Sequence, residues 1–66
     1  MTPKYPHIKV RLVGEDGNAF AIIGRVRKAM RDAGLTNPEM TEFICQATKG
    51  DYNHLLRTVM EWVEVE

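Results

Sequence analysis

The side chains best suited to catalysis or metal binding are few and widely separated. The 66 residues include two histidines, His7 and His54, and one cysteine, Cys45. Zinc ligands usually occur in pairs a few residues apart, and a cysteine nucleophile needs a histidine base within reach. These residues show no such local spacing, so we predict no metal, no cofactor and no catalytic centre. His54 is expected on the polar face of a helix, and Cys45 at the edge of a buried face.

A glycine-containing turn near the N-terminus suggests a phosphate-binding site. Residues 14–18 read Gly-Glu-Asp-Gly-Asn and precede a predicted helix, whose N-terminus attracts anions. The glycine spacing fits neither the dinucleotide nor the P-loop pattern, and the two adjacent acidic residues would repel phosphate. The spaced acids of a calcium loop are also missing. The stretch is therefore predicted to be a turn, in which Asn18 or Asp16 caps the helix.

The strongest candidate for a binding surface is the polar side of the first predicted helix. Arg27 and Arg31 lie four residues apart and share a face, which also contains Gly24 and, in the first turn, Phe20. An exposed aromatic residue beside a glycine and arginines could anchor a protein partner or stack on a nucleic-acid base. The alternative is structural: Phe20 packs beneath the N-terminal segment against Tyr5, and the arginines are solvated.

Two classes of binding function fit this pattern. A small regulatory or accessory protein would contact a protein partner or a second copy, as a homodimer, through Phe20, Gly24, Arg27 and Arg31. A nucleic-acid-binding module would instead use six basic side chains, namely Lys9, Arg11, Arg25, Arg27, Lys28 and Arg31. The isoelectric point of about 6.7 argues against nucleic acid, because nucleic-acid-binding domains are usually basic. An enzyme acting on a small molecule is not expected, because its pocket would compete with the core for the same side chains.

A few predicted elements must position these residues. Residues 8–13 alternate apolar and basic side chains, the pattern of a half-buried strand with Lys9 and Arg11 exposed. Start and stop signals predict helices over residues 18–33, 38–49 and 52–62, with caps at Thr36 and Asp51 and glycines at 34 and 50. Residues 62–66 are either the end of the third helix or a short strand beside the first. Residues 1–7 are predicted to be an extended arm because of their two prolines.

The predicted core consists of apolar residues that recur at the helical period. The first helix contributes Ala19, Ile22, Ile23, Val26, Ala29, Met30 and Ala33, the second Met40, Phe43, Ile44 and Ala47, and the third Tyr52, Leu55, Leu56, Val59, Met60, Trp62 and Val63. The apolar arc of the third helix covers close to half its circumference. We therefore expect this helix to be the most enclosed of the three.

Length and composition indicate one small domain over residues 1–66, and its predicted N-terminal strand and three helices make it an α+β domain. Hydrophobic residues make up 44% and charged residues 27%, which is typical of a folded domain. A single cysteine excludes an intramolecular disulfide. The sequence shows no apolar run of signal-peptide or membrane-span length, so we predict a cytoplasmic protein that does not bind membranes.

The charges are unevenly distributed along the chain although the formal net charge is zero. Residues 1–34 contain seven basic and three acidic side chains, and residues 35–66 contain two and six, so the halves carry plus four and minus four. These halves either attract each other within the fold or present opposite charges to a partner. In addition, a lone strand needs its edges covered by the C-terminal segment, a second copy or a partner. We therefore expect association.

Several stretches of the sequence resemble a known group of proteins. They are residues 12–26, reading LVGEDGNAFAIIGRV, then Lys28-Ala29, Gly34, Gly50-Asp51-Tyr52, Leu55-Leu56 and Trp62-Val63. Together they resemble a family of small uncharacterised proteins from bacterial genomes, phages and plasmids. The similarity extends from residue 8 over nearly the whole chain. The family has no assigned activity, so the resemblance implies only a small soluble accessory protein, encoded on a phage or other mobile element, and transfers no functional residues.

Overall fold

The computed structural model of the protein describes residues 2–12, 14–15 and 17–66. Along the chain it contains strand β1 (Tyr5–Val10), helices α1 (Ala19–Asp32), α2 (Asn37–Ala47) and α3 (Tyr52–Trp62), and strand β2 (Val63–Val65). The two strands pair in parallel as a two-stranded sheet, and the three helices form the connection between them. The predicted α+β fold class, with a short C-terminal strand beside the first, is confirmed.

Strand β1 begins three residues earlier than predicted and ends at Val10 rather than at residue 13. The predicted alternation is correct, because Ile8 and Val10 are buried while Lys9 is exposed. The earlier start follows from contacts with the C-terminal elements: Lys4 N donates to Glu61 O at 2.8 Å. The prediction of an extended arm over residues 1–7 is therefore wrong for residues 5–7, which belong to the strand. Residues 1 and 13 lie outside the described residues.

Strand β2 covers one edge of β1. Glu66 N donates to Val10 O at 2.8 Å, and Leu12 N donates to Glu66 O at 3.3 Å. Because successive residues of a strand direct their backbone groups to opposite edges, those of Lys9 point to the other edge. No second neighbour of β1 is present in the described sheet. The C-terminal strand thus covers one edge of β1, and the argument for association from an uncovered strand applies to the other edge only.

The helices begin and end close to their sequence signals. Helix α3 has the predicted bounds, whereas α1 and α2 span residues 19–32 and 37–47 instead of 18–33 and 38–49. The side chains of Asn18 and Asp51 cap α1 and α3 by accepting hydrogen bonds from first-turn amides. Gly34 has a φ of 91°, the left-handed conformation that commonly follows a helix. Asp16, the other predicted cap of α1, lies outside the described residues.

The N-terminus of α2 is held by a capping box that also reaches β1. Glu39 N donates to Thr36 Oγ1 at 3.4 Å, and Thr36 N donates to Glu39 Oε1 at 2.9 Å. Tyr5 OH donates to Glu39 Oε2 at 2.9 Å. The pKa of Glu39 is lowered because these hydrogen bonds stabilise its carboxylate. The largest contribution comes from the Thr36 amide, followed by the Thr36 hydroxyl and the Tyr5 hydroxyl. The hydrogen bond to Glu39 is also the main reason why the pKa of Tyr5 is raised.

The capping box predicts a specific acid dependence of stability. Because the pKa of Glu39 is lower in the folded than in the unfolded chain, its contribution is fully present above the unfolded pKa of about 4.5. The contribution is lost as the pH falls through the lower folded pKa. We therefore expect Glu39→Gln to reduce the loss of stability on acidification, measured as the urea midpoint at pH values from neutral to below the folded pKa. Glu66→Gln removes a charge outside this network and is the control. If the urea midpoint of Glu39→Gln falls on acidification as much as that of the wild type, the prediction is contradicted.

The core lies where the helices pack on one face of the sheet. Its buried hydrophobic residues are Ile8, Val10, Ile22, Val26, Met30, Met40, Phe43, Ala47, Leu55, Val59, Trp62 and Val63. The rings of Phe43 and Trp62 meet edge to face with centroids 5.6 Å apart. Lys4 Nζ lies 4.4 Å from the Trp62 ring centroid on the outer side. The predicted inner faces of α1 and α2 are thus confirmed for the residues that are fully buried, which are Ile22, Val26 and Met30 on α1 and Met40, Phe43 and Ala47 on α2.

The prediction that α3 is the most enclosed helix agrees with its four buried residues, compared with three in each of α1 and α2, but its predicted apolar arc is only partly covered. Tyr52 and Met60 are 45% and 54% exposed, because they lie on a flank of α3 that the other described elements leave open. On a different flank Thr58 is buried, and its hydroxyl donates to His54 O at 2.8 Å, which satisfies the polar atom. Ala33 is also exposed rather than part of the core, because it follows the last turn of α1.

Candidate functional site

One side of α1 is exposed along its whole length and is called here the α1 contact face. It consists of Phe20, Gly24, Arg27 and Arg31, all of which are exposed. Their spacing of three or four residues places them along one line of the helix surface. The opposite side of α1 is buried through Ile22, Val26 and Met30. The structure therefore brings together the four residues that the sequence predicts for protein binding.

Phe20 is the most exposed large hydrophobic residue of the described chain. Its exposed fraction is 84%. It borders an apolar groove of about 270 Å³, which is also lined by Ile23, Tyr52 and Leu55. The hydroxyl of Tyr52 donates to Gly17 O and thereby ties α3 to the segment before α1. The alternative that Phe20 is packed beneath the N-terminal segment against Tyr5 is wrong.

Gly24 leaves a flat position at the centre of the α1 contact face. A Cβ atom built at this residue has nothing within 4 Å, so packing within the chain does not require glycine here. A glycine inside a helix costs about 0.5–1 kcal/mol relative to alanine. With no side chain at Gly24, the helix backbone is open to close approach by another molecule at this position.

The two arginines of the α1 contact face differ from the basic residues beside them. Arg25 and Lys28 have acidic partners, with Arg25 Nη2 lying 3.9 Å from Glu15 Oε2 and Lys28 Nζ lying 3.3 Å from Asp32 Oδ2. Within the part of the chain that the structure describes, Arg27 and Arg31 have no ion pair. Their charges thus remain available to a partner.

The basic residues predicted for nucleic-acid binding do not form one continuous surface. Lys9 lies on the face of the sheet opposite the helices, since its neighbours Ile8 and Val10 point into the core. Arg11 follows the end of β1 and is exposed. Of the four basic residues on α1, two are ion-paired. Arg27 and Arg31 are the two members of the set that share an open face.

Among the described residues, no ion pair joins the basic half of the chain to the acidic half. Both ion pairs of the described residues lie within the basic half, at Arg25–Glu15 and Lys28–Asp32. Exposed basic side chains of α1 and exposed acidic side chains of the C-terminal half therefore face solvent. This arrangement leaves opposite charges for contacts with other molecules.

The residues considered for metal or covalent chemistry are held in separate places. His54 is half-buried and its Nε2 lies 2.8 Å from Gln46 O, so it joins α3 to the end of α2 rather than lying on a polar face. Cys45 is exposed and lines a broad, open depression along α2, not the edge of a buried face. His7 lies in β1 beside Tyr5, with ring centroids 6.2 Å apart. No group of three His, Cys, Asp or Glu side chains that could hold a metal occurs among the described residues.

Sequence reasoning missed two features of the groove beside Phe20. It assigned Tyr52 to the core, whereas Tyr52 is partly exposed on the groove rim. It treated Asp51 only as a helix cap, although Asp51 also lines the groove and places an acidic residue near Phe20. The width of the apolar arc on α3 was a sequence signal for this groove. An apolar arc wider than the core can cover leaves some of its residues for a second contact surface.

Comparisons of this chain with protein-family models, curated proteins and solved structures gave no match. Among the described helices, none has the length and apolar character needed to cross a membrane. The surface chemistry of the α1 contact face is therefore the observation that points most directly to a function.

Proposed function

We propose that the protein is a small, non-catalytic accessory or regulatory protein of the cytoplasm that binds a protein partner through the α1 contact face. The exposure of Phe20 beside an apolar groove carries this proposal. Burying a phenylalanine side chain contributes about 1.5–3 kcal/mol, and Phe20 gains nearly all of it only when a partner covers it. The resemblance to proteins of phages and plasmids agrees with an accessory role.

The arrangement of the α1 contact face has the features of a small interface. Energetically dominant interface residues are commonly aromatic residues and arginines, clustered near the centre of the contact. Here Phe20 supplies the aromatic anchor and Arg27 and Arg31 supply charged groups that are not used within the described chain. Gly24 lies between them and permits close approach.

A protein partner fits this face better than nucleic acid. Binding to nucleic acid depends on several phosphate contacts from clustered basic residues. Two arginines on the α1 contact face supply few such contacts, and Lys9 lies on a different surface. A protein is therefore the favoured partner, and binding to nucleic acid is the alternative that the experiment distinguishes.

The test compares three tagged proteins: the wild type, Phe20→Ser and Met60→Ser. Each is incubated with host lysate containing a differently tagged second copy, once with and once without nuclease treatment, and the retained material is quantified. We expect Phe20→Ser to lower the specific retained protein by about tenfold. Met60→Ser, which removes another exposed apolar side chain from a different helix, should retain it.

Three results separate the alternatives. Loss of a protein in Phe20→Ser alone supports binding through the α1 contact face. Equal retention by all three proteins overturns this assignment. Retention that disappears on nuclease treatment of the wild type transfers the function to nucleic acid, and its affinity should then fall steeply with salt.

A further inference from the structure

The charge and shape of the α1 contact face point to a particular occupant. Gly24 lies at its middle, Arg27 and Arg31 lie toward its C-terminal end, and Phe20 lies toward its N-terminal end. Asp51 lines the groove beside Phe20, so the N-terminal end has an acidic neighbour while the C-terminal end is basic. A surface with opposite ends of this kind is complementary to itself when a second copy is turned by a two-fold rotation.

We propose that the α1 contact face binds a second copy of this chain, with the two α1 helices antiparallel and crossing at Gly24, so that Phe20 packs on the partner's Arg27. This inference rests on the proposed function and specifies its partner. The contact is made twice, once on each side of the two-fold axis. Guanidinium groups stack favourably on aromatic rings, and the partner's Arg31 then lies toward Asp51.

The axial distances agree with this pairing. At a rise of about 1.5 Å per residue, Phe20 lies about 6 Å from Gly24 along the helix, and Arg27 lies about 4.5 Å from it in the other direction. With Gly24 at the crossing point, Phe20 and the partner's Arg27 are therefore offset by only about 1.5 Å. The missing side chain at Gly24 lets the backbones approach closely enough for these long side chains to meet.

The first experiment measures mass by sedimentation equilibrium over a wide range of concentrations. We expect the wild type to associate into a dimer of twice 7.5 kDa. Gly24→Leu should raise the dimer dissociation constant by at least about tenfold because the side chain fills the crossing point. Its fold should be retained, because leucine is a better helix former than glycine. Asn53→Leu, at an exposed position of α3, is the control and should leave the dimer unchanged.

The second experiment tests the pairing of Phe20 with the partner's Arg27 directly. Phe20→Lys and Arg27→Glu should each be monomeric alone, because the first sets two cations together and the second sets a carboxylate against an aromatic face. Mixed in equal amounts, they should form a heterodimer with one introduced lysine–glutamate contact and one native contact. Phe20→Lys mixed with Asn53→Leu is the control and should not regain the native affinity.

The outcomes distinguish this inference from the proposed function. Restored association in the mixture supports the antiparallel dimer. If Gly24→Leu dimerises as strongly as the wild type, the inference is overturned. It is also overturned if mixing Phe20→Lys with Arg27→Glu does not restore association. A wild type that stays monomeric at every concentration also overturns it, while Phe20-dependent capture of a different protein would leave the proposed function intact.

Discussion

Phe43→Ala is expected to leave much of the protein unfolded at room temperature. The side chain of Phe43 is 0% exposed and its ring meets Trp62 edge to face at 5.6 Å. Truncating a buried phenylalanine to alanine costs about 3–5 kcal/mol, because transfer free energy is lost and a cavity remains. A domain of this size has a total stability of roughly 3–5 kcal/mol. The expected loss therefore equals the whole stability, and the urea transition should move close to zero denaturant.

The matched control for this prediction is Phe20→Ala. The same atoms are removed, but Phe20 is 84% exposed. The free energy of unfolding of the monomer should therefore change by no more than about 0.5 kcal/mol, and its urea midpoint should stay close to that of the wild type. Circular dichroism during urea titration measures both variants. Similar losses in the two variants would show that Phe43 does not stabilise the core in the way its burial indicates.

Substitution of two glycines by alanine is expected to give opposite effects. At Gly50 a new Cβ atom would lie 2.8 Å from both Cβ and Cγ of His54, and the His54 ring is held by the contact between its Nε2 and Gln46 O at 2.8 Å. The forced movement should cost about 1–3 kcal/mol. At Gly24 nothing lies within 4 Å, so Gly24→Ala should stabilise the monomer by about 0.5–1 kcal/mol through its higher helix propensity.

A double-mutant cycle identifies the cause of the Gly50 effect. If the clash with His54 is responsible, Gly50→Ala should cost much less in a His54→Gly background, which lacks both the Cβ and the ring, than in the wild type. Urea unfolding at low protein concentration measures the monomer in each case. Equal costs in the two backgrounds would show that His54 is not the obstacle.

The local elements were predictable because their signals lie within a few neighbouring residues. The capping residues Thr36 and Asp51 begin α2 and α3, and Gly34 follows α1 in the left-handed conformation. The periodicity of α1 also separates its buried side from the α1 contact face. Both kinds of signal depend on backbone geometry that is the same in any helix.

The ends of β1 were less predictable because a strand is completed by its neighbour. The alternating pattern marks Ile8 and Val10 but carries no information about residues that precede the alternation. The bond between Lys4 N and Glu61 O and the pairing of Tyr5 with Val63 extend the strand toward the N-terminus. These partners are more than fifty residues away in the chain, so only the folded structure brings them into contact.

The sequence by itself determined the order of the elements, the inner faces of α1 and α2, and the choice of Phe20, Gly24, Arg27 and Arg31 as a candidate surface. Only the tertiary structure decided that Phe20 is exposed, that Tyr52 and Asp51 border its groove, and that no ion pair among the described residues joins the basic and acidic halves. The physical reason is that periodicity gives the angle of a side chain around its own helix. Whether that angle is covered depends on where the other elements pack.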